Sequence, residues 1–350
     1  MVVMISTSRS ACICIGLREL VVLILISAVA VALASFFVAK QLVESTQRFT
    51  ENRVDGGDIA GTIRSYIAAV EPDIRRRAVE ILEKYLATNR TILWDVVKVY
   101  PGSWSIVTFE VYPSLVYEIR VKVLKTCQKE SCDVVVLLKN AKWSTVRNLG
   151  RVADAEFSYT LSGATWREHH RLYLDNTYSN ETKSVIVSIS VRFPQSFMNN
   201  DVFKVHAISS WVNANIKYLS DPWGLEYVSS PTEVIEVGAG DCEDYAVLLA
   251  TLYRSVGLKA AVGLVDTDGD EYAEHAATLV YLERDISSLE LLLESISQVL
   301  GYRGIRYPYI KAEDNEQAVW VIVDPIMAID PPKDWRIGHD YYSFILVIDP

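Results

Sequence analysis

The chain has 350 residues, half of them hydrophobic, which is enough for about two domains with substantial cores and excludes disorder as the main state. Its 34 basic side chains are outnumbered by 44 acidic ones, for a formal charge of −10, and no basic tract is present, so a broad nucleic-acid-binding surface is excluded. Five cysteines and five histidines, without paired Cys-x-x-Cys motifs, exclude a disulfide scaffold and a structural zinc module.

Residues 1–19 form a short tail. From Leu20 to Ala39 no charge occurs, with Ser27 and Ser35 as the polar interruptions between Glu19 and Lys40. As a helix this run spans roughly 30 Å, one hydrocarbon core, so residues 20–39 are expected to be a single-pass transmembrane anchor. Ala32-Leu33-Ala34 also fits a signal-peptide cleavage site, but Phe36, Phe37 and Val38 prolong the apolar run past it and favour the anchor. Basic residues lie on both sides, Arg9 and Arg18 before the run and Lys40, Arg48 and Arg53 after it, so the charge rule leaves orientation to other features.

Ile59, Ile63, Tyr66, Ile67 and Val70 recur at helical spacing, and Pro72 opens a second set, Ile74, Ala78, Ile81, Leu82 and Tyr85; residues 40–95 are expected to be a helical stalk. From about Trp104 the period changes to two. Tyr117, Ile119, Val121 and Val123 alternate with charged neighbours, and Val185, Val187, Ile189 and Val191 alternate with polar ones. With further strand candidates at 134–138, 157–161 and 167–174, residues 96–195 are expected to form an all-β, sandwich-like middle domain that binds, spaces or orients. Cys127 and Cys132 flank an expected hairpin tip and are candidates for a disulfide, whose small loop limits the entropic gain. Asn89-Arg90-Thr91 and Asn180-Glu181-Thr182 are glycosylation sequons, and they point to an extracytoplasmic location for everything after the anchor. His169 and His170 are expected on a strand surface.

Residues 196–350 carry the chemistry. Ser230-Pro231 offers a helix cap and first-turn proline. Gly238-Ala239-Gly240-Asp241-Cys242-Glu243-Asp244-Tyr245 then leads into an apolar helix that closes at Gly257. A cysteine in the first turn meets unpaired amides and the helix dipole, which favour the thiolate. Asp241, Glu243 and Asp244 oppose this, so a cationic imidazole partner is needed. His275 starts the returning strand of the hairpin that follows, and Asp324 ends the apolar strand Trp320-Val321-Ile322-Val323, where a carboxylate can hold an imidazole in one tautomer.

From Phe203 to Pro325 the chain resembles the transglutaminase-like superfamily of papain-type cysteine enzymes, nearer its microbial and archaeal members than the calcium-dependent animal architecture. Gly240-Asp241-Cys242-Glu243-Asp244 carries the resemblance, with Val256-Gly257-Leu258-Lys259-Ala260, Trp211-Val212, Ile216-Lys217-Tyr218, His275-Ala276 and Val323-Asp324-Pro325 in support. It implies an α+β papain-like domain in which Cys242 is the nucleophile, His275 the general base and Asp324 the orienting carboxylate. Two features depart from the pattern. Ala277-Thr278 follows the His-Ala pair where many members have an aromatic, and residues 283–319 form a long insertion, with a helix predicted over 286–300 and a Tyr-rich stretch over 302–309, that reads as a lid or a partner surface.

Trp211, Trp223 and Asp244 are candidates for oxyanion or substrate contacts; core packing is the alternative for the indoles, and fixing the helix start is the alternative for Asp244. Asp266, Asp268 and Asp270 resemble a calcium loop, but the glycine is out of place, so a solvated turn is expected and no metal ligands are assigned. No redox or nucleotide cofactor is implied. The sequence thus points to a multi-domain, membrane-anchored cysteine enzyme that acts on amide bonds of protein or peptide substrates through a thioester, with hydrolysis favoured over transamidation. The alternative is a non-catalytic binding or scaffolding protein of the cell envelope that keeps the same fold.

Overall fold

The computed structural model describes residues 3–6, 12–15, 56–124, 127, 131–221, 227–312, 315, 317–324, 335–336 and 343–350. The expected anchor at 20–39 and Trp223 lie outside the described residues, and no helix among the described residues is long and apolar enough to cross a membrane. The chain divides into two compact units, 1–58 with 222–226, and 59–221 with 227–350. In the first, β1 (Val3–Ser6) pairs antiparallel with β2 (Cys12–Ile15).

The second unit starts with helical residues of α1 (Gly56–Ala68) and α2 (Pro72–Leu86). Pro72 begins α2, where its missing N–H costs nothing. Ile74, Ala78, Ile81 and Leu82, one stripe of α2, are all buried. Burying three large aliphatic side chains is worth about 5–9 kcal/mol gross, so this helix is part of the core where the sequence pattern predicted a stalk. β3 (Asn89–Val99) follows directly, so the first strand of the β region starts within the expected stalk.

The β region continues with β4 (Trp104–Val111), β5 (Val116–Val123), β6 (Val134–Lys139), β7 (Thr145–Val152), β8 (Asp154–Tyr159), β9 (Glu168–Asp175) and β10 (Lys183–Arg192). They form two antiparallel four-stranded sheets in the orders β3-β10-β5-β8 and β4-β9-β6-β7. The alternation read in the sequence is the alternation of burial: Tyr117, Ile119, Val121 and Val123 of β5 and Val185, Val187, Ile189 and Val191 of β10 all point into one core shared with Val136, Leu138, Leu172 and Leu174 of the other sheet. Cys127 and Cys132 are joined by a disulfide. In the same loop the Ser131 carbonyl accepts a hydrogen bond at 2.7 Å from Lys183, whose side chain is wholly buried. His169 is exposed, but the expectation of a surface pair fails for His170, which is buried and bonded at 2.9 Å to the Tyr159 hydroxyl.

After a short 3-10 turn come α3 (Asp201–Asn215), β11 (Lys217–Tyr218), α4 (Pro231–Val237), β12 (Ala239–Gly240) and α5 (Cys242–Ser255). Then follow β13 (Lys259–Asp266), β14 (His275–Leu282), α6 (Ile286–Leu300), β15 (Ile305–Arg306), β16 (Tyr309–Lys311), β17 (Val319–Val323), β18 (Trp335–Arg336) and β19 (Ser343–Ile348). Five strands form an antiparallel sheet in the order β16-β17-β14-β13-β19. Every residue of α5 from Asp244 to Tyr253 is buried, the pattern of a helix enclosed on all sides. It packs against β13 and β14 and against α2, α3 and α4.

The insertion is a brace. In α6 the Gln298 side chain accepts from the Tyr117 hydroxyl at 2.5 Å and donates to the Glu110 carbonyl at 3.3 Å, while its own carbonyl accepts from Arg90 at 3.0 Å. Farther on, the Tyr307 hydroxyl meets His206 and Ser209 of α3 at 3.0 and 3.1 Å. These contacts tie the β region to α3 through Gln298 and Tyr307 of the segment predicted as a lid or partner surface.

Candidate active site

Cys242 is the first residue of α5 and is half-buried. The turn that delivers it depends on two glycines. Gly238 ends α4 in the left-handed conformation at φ 70°, which costs a glycine little. Gly240 lies under Asp244: a Cβ on Gly240 would stand 2.6 Å from the Asp244 Cβ. The turn is held from the side by β11, where Lys217 and Leu219 donate backbone hydrogen bonds to the Gly238 and Gly240 carbonyls, each at 2.9 Å.

His275 opens β14, and Asp324 follows the last residue of β17. These strands are antiparallel neighbours with Thr278 opposite Val323. One step further along that register sets Asp324 beside Ala277, on the same sheet face as His275 and diagonal to it. His275 Nε2 and Asp324 Oδ2 lie 2.6 Å apart, with Asp324 almost fully buried. The neighbouring Ala276 N–H hydrogen-bonds the Cys242 sulfur and favours its thiolate. β14 is also fixed to α5 by the Thr278 hydroxyl, which donates to the Ala246 carbonyl at 3.1 Å.

The electrostatics of the cysteine differ from the expectation of a thiol activated by the helix N-terminus. Burial first, then the charge and hydrogen bond of Glu243 and the charge of Asp241, push the Cys242 thiol well above the ordinary cysteine range. The thiol donates to Glu243 Oε2 at 3.1 Å. Asp241 is itself pushed up to about 9, by burial and by the charges of Glu243 and Asp244. In these surroundings the neighbouring acids outweigh the helix dipole, whose effect is worth about 0.3–2 kcal/mol.

Of the other predicted residues, Asp244 is buried and accepts hydrogen bonds from the Ser229 N–H at 2.7 Å, the Ser229 hydroxyl at 3.1 Å and the Asp241 N–H at 3.4 Å. These bonds tie it to the start of the helix, the second of the two roles the sequence offers for it. Trp211 is partly buried against the core, with the Arg77 guanidinium 6.0 Å from its ring centre. Two groups escaped the sequence reading as site members. Asp221 brings a carboxylate to the group formed with Asp241 and Glu243, and nothing in its local sequence marks it. The Ala276 N–H is a backbone group, identifiable only once β14 and α5 are placed together.

Residues 193–325 match the model of the transglutaminase-like superfamily. No curated protein matches the chain. Among solved structures, the chain is similar to a candidate cysteine protease of Cytophaga hutchinsonii at 15% identity and a TM-score of 0.18, over 54% of this chain and 75% of that one. It is also similar to a candidate protease of Parabacteroides distasonis at 11% identity and a TM-score of 0.20, over 56% of this chain and 41% of that one.

Proposed function

We propose that the protein is a cysteine hydrolase of amide bonds in protein or peptide substrates, with Cys242 as nucleophile, His275 as general base and acid, and Asp324 as the group that orients the imidazole. The observation that carries this reading is the 2.6 Å contact between His275 Nε2 and Asp324, beside an Ala276 N–H that engages the Cys242 sulfur. With Nε2 committed to Asp324, Nδ1 is the nitrogen that exchanges a proton with the thiol.

Transfer of the S–H proton to Nδ1 gives a thiolate and imidazolium pair, and the thiolate adds to the amide carbonyl carbon. The Cys242 N–H, at the start of α5, is the donor for the developing oxyanion. The imidazolium then protonates the leaving amine as the C–N bond breaks, which leaves a thioester. Water, deprotonated by Nδ1, hydrolyses that thioester and returns the thiol. Hydrolysis is favoured over transfer because an amine outcompetes bulk water only where a lid excludes it, and the insertion is engaged as a brace. The uncharged run from Leu20 to Ala39 and the Cys127–Cys132 disulfide support placing this activity on the outer face of a membrane.

One observation favours the scaffolding alternative: the thiol is held protonated by Glu243. The two readings separate in an assay that offers an activated acyl donor with and without excess primary amine. Carboxylate product that disappears in Cys242→Ala supports the hydrolase. Dominant amide product makes the protein a transferase, and turnover unchanged by Cys242→Ala removes the triad.

A further inference from the structure

We propose that the outer face of the β4-β9-β6-β7 sheet binds a carboxylated polysaccharide, with ring faces supplied by Trp104, Tyr173 and Trp143 and charge supplied by Lys139 and Arg171. This surface does not depend on the chemistry of Cys242.

The register of the sheet brings these residues together. Leu172 and Leu174 of β9 and Val136 and Leu138 of β6 are buried in the core, so the residues that alternate with them point outward. On that outward face Tyr173 lies opposite Ile106 on one side and Leu137 on the other, and Arg171 lies opposite Lys139. Trp104 stacks on Tyr173, with ring centres 5.3 Å apart and 27° between the planes. None of Trp104, Ile106, Leu137 and Tyr173 packs on the core, and Trp104 is 53% exposed. A contiguous aromatic and apolar face left open in this way marks an interaction surface.

The hairpin between β6 and β7 adds the third ring. Trp143 is 51% exposed and is held at φ 64°, a backbone conformation that costs a bulky residue free energy. The Arg171 guanidinium lies 4.6 Å from its ring centre and donates through Nη1 to the Asn140 and Ala141 carbonyls at 3.4 and 3.3 Å, which draws the turn back over the sheet. The Nε and Nη2 edge of Arg171 makes no hydrogen bond among the described residues, and such an edge takes a carboxylate in two parallel bonds. Lys139 Nζ lies 4.7 Å from the Tyr173 ring centre and 5.8 Å from that of Trp143. Neither cation is paired with an acid among the described residues.

Ring chemistry and charge together select the ligand. The negative faces of aromatic rings attract the polarised C–H bonds on the face of a sugar ring, with no apolar tail to bury. Two unpaired cations among those rings, in a chain of net charge −10, call for carboxylates on the same ligand. Held over the rings, the cations lose little freedom on binding. From the row that pairs Trp104 with Asp175 to the row that pairs Lys139 with Arg171 the chain advances four residues along β9, about 13 Å, which accommodates a short run of sugars. Asp175 accepts from the Thr177 N–H at 2.7 Å at the Trp104 end, so the positive charge is confined to the other end. A lipid surface fits less well. Membrane binding uses an apolar wedge with its cations at the rim, whereas here the cations lie among the rings.

The test is titration calorimetry on the full chain with oligogalacturonate and oligomannuronate, beside a fully methyl-esterified oligogalacturonate that keeps the rings and removes the charge. The expected result is saturable binding of an acidic oligosaccharide and at least tenfold weaker binding of the ester. Affinity should fall at least tenfold in Trp104→Ala and in Lys139→Gln, and stay unchanged in Trp94→Ala, whose indole is 65% exposed on β3 of the other sheet. Trp143→Gly relieves the positive φ, so it should melt no lower than the parent while its affinity still falls at least tenfold. Binding of neither acid, an ester bound as tightly as the acid, or binding that survives both Trp104→Ala and Trp143→Gly overturns the proposal. Phosphatidylserine vesicles bound in place of the oligosaccharides, and released by the same substitutions, overturn it in favour of a membrane contact.

Discussion

The imidazole of His275 and the carboxylate of Asp324 meet at 2.6 Å although 49 residues separate them, because β14 and β17 are antiparallel neighbours and both side chains lie on the same face. Replacing Asp324 with Asn keeps the shape and removes the charge that stabilises an imidazolium. Turnover should fall by about 10²–10⁴-fold, the usual worth of an oriented general base, with the thermal melting curve little changed. Steady-state kinetics on a common amide substrate, beside a calorimetric melt, check it.

After burial, Glu243 does most to hold the Cys242 thiol protonated. Its charge and its hydrogen bond both raise the Cys242 thiol, so Glu243→Gln should lower it. Every tenfold gain in acidity of the thiol gives tenfold more thiolate at a fixed pH below its pKa. The pH profile of iodoacetamide alkylation should move to lower pH in the variant. A profile that moves upward or stays in place contradicts the assigned role.

His206 sets a pH limit on stability. It is buried in α3 between the Tyr307 hydroxyl at 3.0 Å and the Ser210 hydroxyl at 3.2 Å, and burial pushes its pKa down to about 3. The unfolded chain therefore binds a proton below about 6.5 that the folded chain refuses. Stability should fall as pH drops from there toward 3, with a slope of up to about 1.4 kcal/mol per pH unit from this group. Denaturant melts at stepped pH should show a shallower acid limb for His206→Gln.

Asp241 acts in the opposite sense. Raised to about 9 in the fold, it holds a proton that the unfolded chain gives up near the ordinary carboxylate pKa, so its contribution is fully present below that value and is lost as pH climbs through 9. Asp241→Asn should flatten the alkaline decline of stability, measured by the same melts.

The Cys127–Cys132 bridge closes a loop whose Ser131 carbonyl holds the buried Lys183 ammonium. Replacing both cysteines with Ser should cost about 2 kcal/mol of loop entropy, and more where the loop relaxes and leaves Lys183 without its acceptor. Non-reducing peptide mapping of the parent protein should show one bridged peptide, and urea melts of the double variant give the loss.

At Gly240 the space is already taken by Asp244. Gly240→Ala would set a Cβ 2.6 Å from the Asp244 Cβ. Displacing Asp244 would break its hydrogen bonds to Ser229 and unsettle the helix end that carries Cys242. The expected loss is about 1–3 kcal/mol, with a lower alkylation specificity for Cys242 seen by peptide mapping.

Much of the architecture was legible from local pattern. The period-two alternation of β5 and β10 became burial alternation, and Asp285 and Gly301 bound α6 as its caps, so that Ile286–Leu300 lies where the apolar spacing put it. The helix and glycine turn around Cys242 were legible for the same reason: caps, glycines and apolar runs act over a few residues. The role of α2 was not, because an amphipathic stripe says that a helix covers something without saying what; its partners α3 and α5 lie more than a hundred residues downstream. The place of the insertion was not legible either, since an apolar helix face does not say which surface it packs on, and here Gln298 of α6 bonds to the β region.

By itself, then, the sequence determined the order Cys242, His275, Asp324 and the elements that carry them, because residue types, periodicity and caps are local properties of the chain. Tertiary structure alone decided the chemistry of the cysteine. It buried Asp241 beside Glu243, set the Glu243 carboxylate 3.1 Å from the sulfur and brought Asp221 to both acids. Charge interactions and desolvation depend on distance through space and on the water excluded between groups, and neither is encoded in spacing along the chain.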